Sequence, residues 1–189
     1  MTSVARQRFT YADYLELEEA SPVKHEFLDG HVWAMAGGTP EHGGIAANLI
    51  ALMGGQLRAR PCRVFTSDVR IRVRATGLAT YPDVSVVGGR QETDPDDPKA
   101  NTLVNPQVVV EVLSPSTEDY DRGEKLAHYK QIPSVQEIVL VAQEERRIEL
   151  WRREGDHWVL DVARGDETAV LASLGCELPL LEVYRNPLA

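Results

Sequence analysis

The chain has little that could hold it together from outside its own core. Its 189 residues include two cysteines, Cys62 and Cys176, with neither paired nor CxxC spacing. That excludes a disulfide framework and fits a reduced, cytoplasmic setting. No apolar run approaches the roughly 20 residues of a membrane span, and the opening MTSVARQRFT has no apolar signal core, so no membrane partner is expected. Catalytic signatures of several common classes are missing too. His25-Glu26 followed by His31 fails as HExxH, because the second histidine falls two residues too late to share a helix face. The glycine-rich tract from Gly37 to Gly44 is followed by no GK[ST], and no GxGxxG occurs, which excludes the usual nucleotide loops. There is no GxSxG, and Ser114 and Ser116 are explained as helix caps, so a serine hydrolase is not supported. Repeats and low-complexity tracts are absent as well.

Positive charge is also short. The formal net charge is -9, which argues against a protein that coats nucleic acid non-specifically. The arginines are nonetheless uneven: Arg58, Arg60, Arg63, Arg70, Arg72 and Arg74 fall close together, opposed within that stretch only by Asp68. On a strand, Arg70, Arg72 and Arg74 share one face. A solvated strand face is the simpler account, and a phosphate-binding stripe is the alternative.

What is present describes one globular domain, residues 1–189, with a hydrophobic fraction of 43% and enough length for a sizeable core. Thr10 caps a short acidic helix that stops at Ser21-Pro22. Asp29-Gly30, between the alternating runs 23–28 and 31–36, predicts a hairpin with a type I′ turn. Glu26 on its first arm reads as a solvent-facing strand residue. A helix follows to about Arg60, with His42 near its start in a structural role or as a ligand contact. Residues 62–74 read as one strand, 75–78 as a turn and 81–87 as the next strand. The long acidic connection from Gly88 to Pro106 reads as surface loop, or as a flap over a substrate groove. Strand 107–113, a helix over Tyr120–Lys130 and strand 137–141 predict a parallel pair with a right-handed crossover. The remainder reads as a meander. The expected class is α/β, a mixed sheet flanked by helices.

Two of these strands break their own pattern. Tyr81-Pro82-Asp83-Val84-Ser85-Val86-Val87 and Gln107-Val108-Val109-Val110-Glu111-Val112-Leu113 read as buried strands, yet each carries one carboxylate where another aliphatic residue is expected. A buried carboxylate must be paired, metal-bound or protonated. Alternation puts Val108, Val110 and Val112 on one face and Val109, Glu111 and Leu113 on the other. If the strands are neighbours, Asp83 and Glu111 suit a shared Mg²⁺ or Mn²⁺, and Lys125 on the next helix, with Tyr129 one turn on, adds a cation. Such a set fits phosphodiester hydrolysis. The same residues read equally as a buried lysine–carboxylate network that only fixes the fold.

The ordered combination of Tyr81 to Val87, Val109 to Thr117 and Asp121 through Lys125 to Tyr129 resembles the Uma-two family of endonucleases. That family is assigned to the restriction-endonuclease-like PD-(D/E)XK superfamily. The resemblance extends over most of the chain, including Lys24 to Gly30 and the helix after His42. It implies a restriction-endonuclease-like mixed sheet with flanking helices, with Asp83 and Glu111 as metal ligands, and it suggests Glu26 as a further acidic site residue. The chain departs from the superfamily pattern at Leu113, where E-x-K places its lysine, and the resemblance implies that Lys125 on the following helix takes over. The activity so implied is Mg²⁺-dependent cleavage of nucleic acid, with DNA the expected polymer. Asp83, Glu111 and the Val112 carbonyl would hold the metal, Glu26 would position its water or a second ion, and Lys125 would orient the nucleophile. Tyr129 and His42 would support them, while Arg70 and Arg72 contact phosphates at the rim. Two alternatives stand beside this: an inactive nucleic-acid-binding or assembly module that keeps the fold, and a hydrolase of smaller phosphate esters. Cutting both strands of a duplex would suit a homodimer built on the apolar C-terminal stretch.

Overall fold

The structure, a computed structural model, describes residues 8–186. Helix α1 (Tyr11–Ala20) starts at a capping box in which Thr10 and Asp13 satisfy each other's exposed groups. The predicted hairpin follows as β1 (His25–Leu28) and β2 (His31–Ala34), with Leu28 opposite His31. Asp29 and Gly30 both take positive φ, 50° and 80°, as a type I′ turn demands. Thr39 caps α2 (Pro40–Gln56), which buries Ile45, Leu49 and Met53.

The stretch 62–74 is not one strand. It divides into β3 (Cys62–Thr66) and β4 (Arg70–Val73), because Thr66 and Asp68 close a turn between them. The expected turn at 75–78 is shorter than foreseen, since Leu78–Thr80 already forms β5. Strand β6 (Val84–Gly88) then begins only after Pro82 and Asp83, where the chain passes from one sheet to the other. Further on come β7 (Thr102–Leu103), β8 (Val108–Leu113) and a helical segment, α3 (Glu118–Tyr120), continuing through a π-helical turn at Asp121–Lys125 into α4 (Leu126–Tyr129). The remainder is β9 (Glu137–Ala142), β10 (Arg147–Glu154), β11 (His157–Arg164), β12 (Thr168–Leu171), β13 (Cys176–Pro179) and α5 (Leu180–Val183).

A six-stranded sheet runs in the order β11-β10-β9-β8-β6-β3, with β8 and β9 parallel and the other pairs antiparallel. A five-stranded sheet, β2-β1-β5-β4-β7, stands beside it, and β12 and β13 pair separately. Every residue of β8 and of β9 is buried, so both faces of the large sheet are covered. Val108, Val110 and Val112 meet α2, β13 and α5, while Val109 and Leu113 pack with Leu126, Tyr129 and Ile132. The alternation read from β8 therefore holds, and it directs Glu111 towards the α3–α4 side. Tyr14, Leu15 and Phe27 form a smaller core between α1 and the five-stranded sheet. Among the described residues, no helix is long and apolar enough to cross a membrane.

The acidic connection from Gly88 to Pro106 is pinned down and does not act as a free flap. Its β7 pairs in parallel with β4, and its Asp94 and Asp97 are buried partners of Arg72 and Arg70. Arg70 donates to Thr102 (2.7 Å), the Tyr81 hydroxyl (3.1 Å) and Asp97 (3.1 Å). Arg72 sits over the Tyr11 ring, 3.4 Å from its centroid. These arginines are committed to internal contacts and are not rim residues facing phosphates.

Candidate active site

The positions of the carboxylates follow from strand register. β6 and β8 pair Val86 with Val108 and Val84 with Val110. One step beyond the last pair, Asp83 meets the end of β8 at Glu111, and its Oδ2 accepts the Val112 N–H at 2.7 Å. Pro82 and the change of sheet free Asp83 from the ladder, so its side chain is 16% exposed and not enclosed within a strand. His42, in the first turn of α2, stands with Nε2 3.2 Å from the same oxygen. That contact, opposed by burial, raises the His42 pKa.

Glu26 is not solvent-facing. β1 lies between β2 and β5, and this turns the Glu26 carboxylate inward to 3% residue exposure. Oε1 accepts from Thr80, and Oε2 accepts from the Trp33 indole at 3.1 Å. The hairpin pairs Glu26 with Trp33 directly. Behind it, Glu18 of α1 anchors the strand by accepting from the His25 N–H at 2.9 Å and from Tyr81 at 2.5 Å.

The π-helical turn brings the cation to these acids. Lys125 Nζ lies 3.0 Å from Glu111 Oε1, 3.2 Å from Glu26 Oε1 and 3.4 Å from Asp121 Oδ1. Tyr129, one turn further, donates to Glu111 Oε1. Single π turns inside α-helices occur frequently at functional positions, because the extra residue re-aims side chains. Leu113, in the expected lysine slot, is buried among apolar residues, and the ammonium arrives from the helix instead.

The electrostatics are lopsided. Burial pushes the Glu111 carboxyl up to about 8, with Lys125 opposing and Asp83 and Asp121 adding to the rise. Burial likewise raises Asp121, against the pull of Lys125 and Thr117. Burial works against the Lys125 ammonium, yet Glu111, Tyr129, Glu26 and Asp121 hold its pKa well above the ordinary lysine value. One ammonium thus faces three carboxylates, with Asp83 close enough to act on Glu111. Glu26, Asp83, Glu111, Asp121 and Lys125 line one cavity of about 740 Å³, together with Trp33, Met35, Tyr81, Tyr120 and the Gly37–Thr39 segment.

Glu26, Asp83, Glu111 and Lys125, the four residues singled out by the sequence, therefore converge, with His42 and Tyr129 beside them. Arg70 and Arg72 do not join this cavity. Sequence reasoning did not single out Asp121, Trp33, Thr80 or Tyr120 as site residues. The i,i+4 spacing of Asp121 and Lys125 and the hairpin register of Trp33 carried a usable signal for the first two. Nothing local marks Thr80 or Tyr120.

Would a divalent cation fit? Among the described residues, no three His, Cys, Asp or Glu side chains form a group arranged to ligate a metal. The donors match a hard cation that keeps most of its waters: described hydrogen bonds fall on Asp83 Oδ2 and Glu111 Oε1, and acidic charge exceeds basic. Mg²⁺ and Mn²⁺ meet that description.

The mixed sheet with flanking helices defines a restriction-endonuclease-like fold, and comparison with known proteins places the chain more closely. A model of the Uma2 family, described as "Putative restriction endonuclease", matches residues 11–181. The chain belongs to this family. It is 36% identical over 176 residues to the uncharacterized protein slr1290 of Synechocystis sp., covering 92% of this chain and 90% of that one. It is 32% identical over 162 residues to sll1609 of the same organism, covering 85% and 90%. A crystal structure from Anabaena variabilis, titled as a "putative nuclease belonging to DUF820", superposes with a TM-score of 0.72 at 18% identity. That match covers 90% of this chain and 97% of the other, and at this identity it speaks for the fold.

Proposed function

We propose that this protein is a divalent-metal-dependent endonuclease that hydrolyses phosphodiester bonds of nucleic acid, with DNA the expected polymer. The observation that carries the proposal is the buried Lys125 ammonium held by Glu26, Glu111 and Asp121 on the cavity wall next to Asp83. Asp83 and Glu111 would hold the cation, joined by the Val112 carbonyl. Bound there, Mg²⁺ or Mn²⁺ supplies polarisation of the phosphoryl oxygen and a more acidic water. Lys125 orients the attacking water and offsets charge that develops on the phosphoryl oxygens. Glu26 fixes Lys125 and hydrogen-bonds the incoming water. His42 and the Val112 N–H steady Asp83, and Tyr129 steadies Glu111. For double-strand cleavage the expected assembly is a homodimer through the C-terminal strands, where Leu160, Val162 and Val170 are exposed; a monomeric mass in ultracentrifugation removes that assembly.

The test is cleavage of supercoiled plasmid and of circular single-stranded DNA with Mg²⁺ and with Mn²⁺, wild type against Asp83→Ala prepared in parallel, with Mn²⁺ binding followed by calorimetry. Cleavage and metal binding by the wild type alone support the proposal. Equal nicking by both proteins places the activity elsewhere. One observation favours a second reading: Leu113 fills the superfamily's lysine slot. A non-catalytic nucleic-acid-binding module predicts binding that survives Asp83→Ala and no cleavage with either metal.

A further inference from the structure

We infer that the cavity takes one unpaired nucleotide at a time, so that the substrate is single-stranded or locally unpaired nucleic acid and not intact duplex. This inference rests on the nuclease reading of the same site and adds the substrate class. Three observations point to it.

The first is depth. The side chains of Lys125, Glu26, Glu111 and Asp121 are only 4–5% exposed. A phosphate that reaches them must enter the cavity and not rest on its rim. The cavity's volume of about 740 Å³ lies within the roughly 300–1,000 Å³ of pockets that enclose one small ligand. A stacked duplex, whose major groove alone is about 12 Å across, cannot be enclosed there, whereas an extruded or unpaired nucleotide can.

The second is the character of the wall. Trp33 and Tyr120 meet edge to face, with ring centroids 6.5 Å apart, and both line the cavity with Tyr81 and Met35. The Tyr120 hydroxyl is buried beside Glu26, so it is the ring that faces the cavity's other aromatic surfaces. Aromatic surfaces suit an unpaired base; paired bases in a duplex hide the faces that would stack on them.

The third is the lack of a cationic track. Among the described residues, Lys24 and Lys125 are the lysines that line the cavity, and no arginine lines it. Lys24 is paired with Asp68 at 2.6 Å and Lys125 with three carboxylates. Arg70 and Arg72, the best candidates by sequence, are bound to Asp97 and Asp94. Duplex binding depends on neutralising many phosphates, and this cavity offers contacts for few.

The experiment measures binding by anisotropy, with Ca²⁺ replacing Mg²⁺, to a labelled single strand, its blunt duplex and the same duplex carrying an unpaired flap. Cleavage of all three is then followed with Mn²⁺. The single strand and the flap are expected to bind at least ~10-fold more tightly than the blunt duplex. Their salt dependence should be shallow, matching about one or two phosphates. Trp33→Leu should weaken single-strand binding ~10-fold, the scale of one base–aromatic stack. Trp33→Phe, which loses the bond to Glu26 but keeps an aromatic face, should retain most of it and serves as the folding control. Duplex bound or cut as well as single strand overturns the inference, as does an unchanged affinity in Trp33→Leu or a failure to bind any of the three. Preferential single-strand binding without cleavage leaves this inference standing and removes the catalytic proposal. Preferential cleavage of duplex does the reverse.

Discussion

Two clusters of buried charge, one joined to the Tyr81 hydroxyl and one in the cavity that Tyr81 lines, are built on opposite plans. In the first, Arg70 and Arg72 meet Asp97 and Asp94, cation for anion, with Thr102 and Tyr81 satisfying the guanidinium of Arg70. In the second, Lys125 alone faces Glu26, Glu111 and Asp121, with Asp83 alongside. The acids respond accordingly. Burial works to raise Asp97, but hydrogen bonds from Thr102 and the Lys99 N–H, with Arg70, hold it below the ordinary carboxylate value. Glu111 is pushed up to about 8. A balanced cluster ties α1, β4 and the 88–106 connection together. In the acid-rich cluster one ammonium faces three carboxylates, and the raised Glu111 carboxyl offsets the imbalance by holding a proton.

This contrast can be broken experimentally. The largest effect is expected for Asp83→Ala or Glu111→Ala: loss of metal-dependent cleavage by more than about a hundredfold, beyond the ~10–100-fold typical of outer-shell changes, with far-UV circular dichroism unchanged. Plasmid nicking beside that spectrum checks both halves. His42→Ala should reduce the rate by ~10–100-fold, because it loosens Asp83 without removing a ligand; a titration of rate against Mn²⁺ should show a weaker apparent metal affinity. Lys125→Met leaves Glu26 and Glu111 without their cation and should destabilise the fold by ~3–5 kcal/mol at pH 8, as removal of one partner from a buried ion pair does. The loss should shrink at lower pH, where the carboxylates can protonate, and chemical denaturation at the two pH values measures it. Arg70→Met should cost stability through the orphaned Asp97, yet leave the turnover of folded protein unchanged. A fall in turnover would erase the distinction between the clusters.

A change of pH sharpens the comparison without any substitution. Glu111 rises from its ordinary 4.5 to about 8 in the folded state, so the folded protein holds a proton that the unfolded chain releases above about 4.5. Stability from this group therefore falls as pH rises from about 4.5 through 8. Asp97 has the opposite sign: its lowered pKa contributes stability above the unfolded value that is lost as the solution becomes acidic. Melting temperatures without metal should decline between pH 6 and 8, and Mg²⁺ should flatten that decline by favouring ionised Glu111. An identical slope with and without Mg²⁺ would show that the cation does not act at Glu111.

Much of this was legible in the chain, for reasons that are local. Asp29-Gly30 dictated a turn with two positive φ values, and a two-residue turn fixes register, so the opposition of Glu26 and Trp33 was implicit in the hairpin. The alternation of β8 assigned Glu111 to the face opposite Val110, and i,i+4 spacing put Lys125 and Tyr129 on one helical stripe. Asp83 and Glu111 stood out because a carboxylate inside an aliphatic run needs a reason.

Other features required the assembled molecule. Glu26 read as a surface residue because a hairpin arm alone has a free face; burial came when β5 paired with β1 and brought Thr80 to its carboxylate. The arginines of 70–74 read as a solvated stripe because their partners, Asp94 and Asp97, lie more than twenty residues away on a connection with no periodic pattern. The break between β3 and β4 was hidden by continuous alternation, and only the Thr66–Asp68 turn and two separate sheets expose it. The sequence by itself determined the elements, their faces and the unusual acids, since these follow from backbone geometry and side-chain period. Tertiary structure decided which acids share a cation and which have their own, because charge balance in a buried cluster depends on neighbours that only packing supplies.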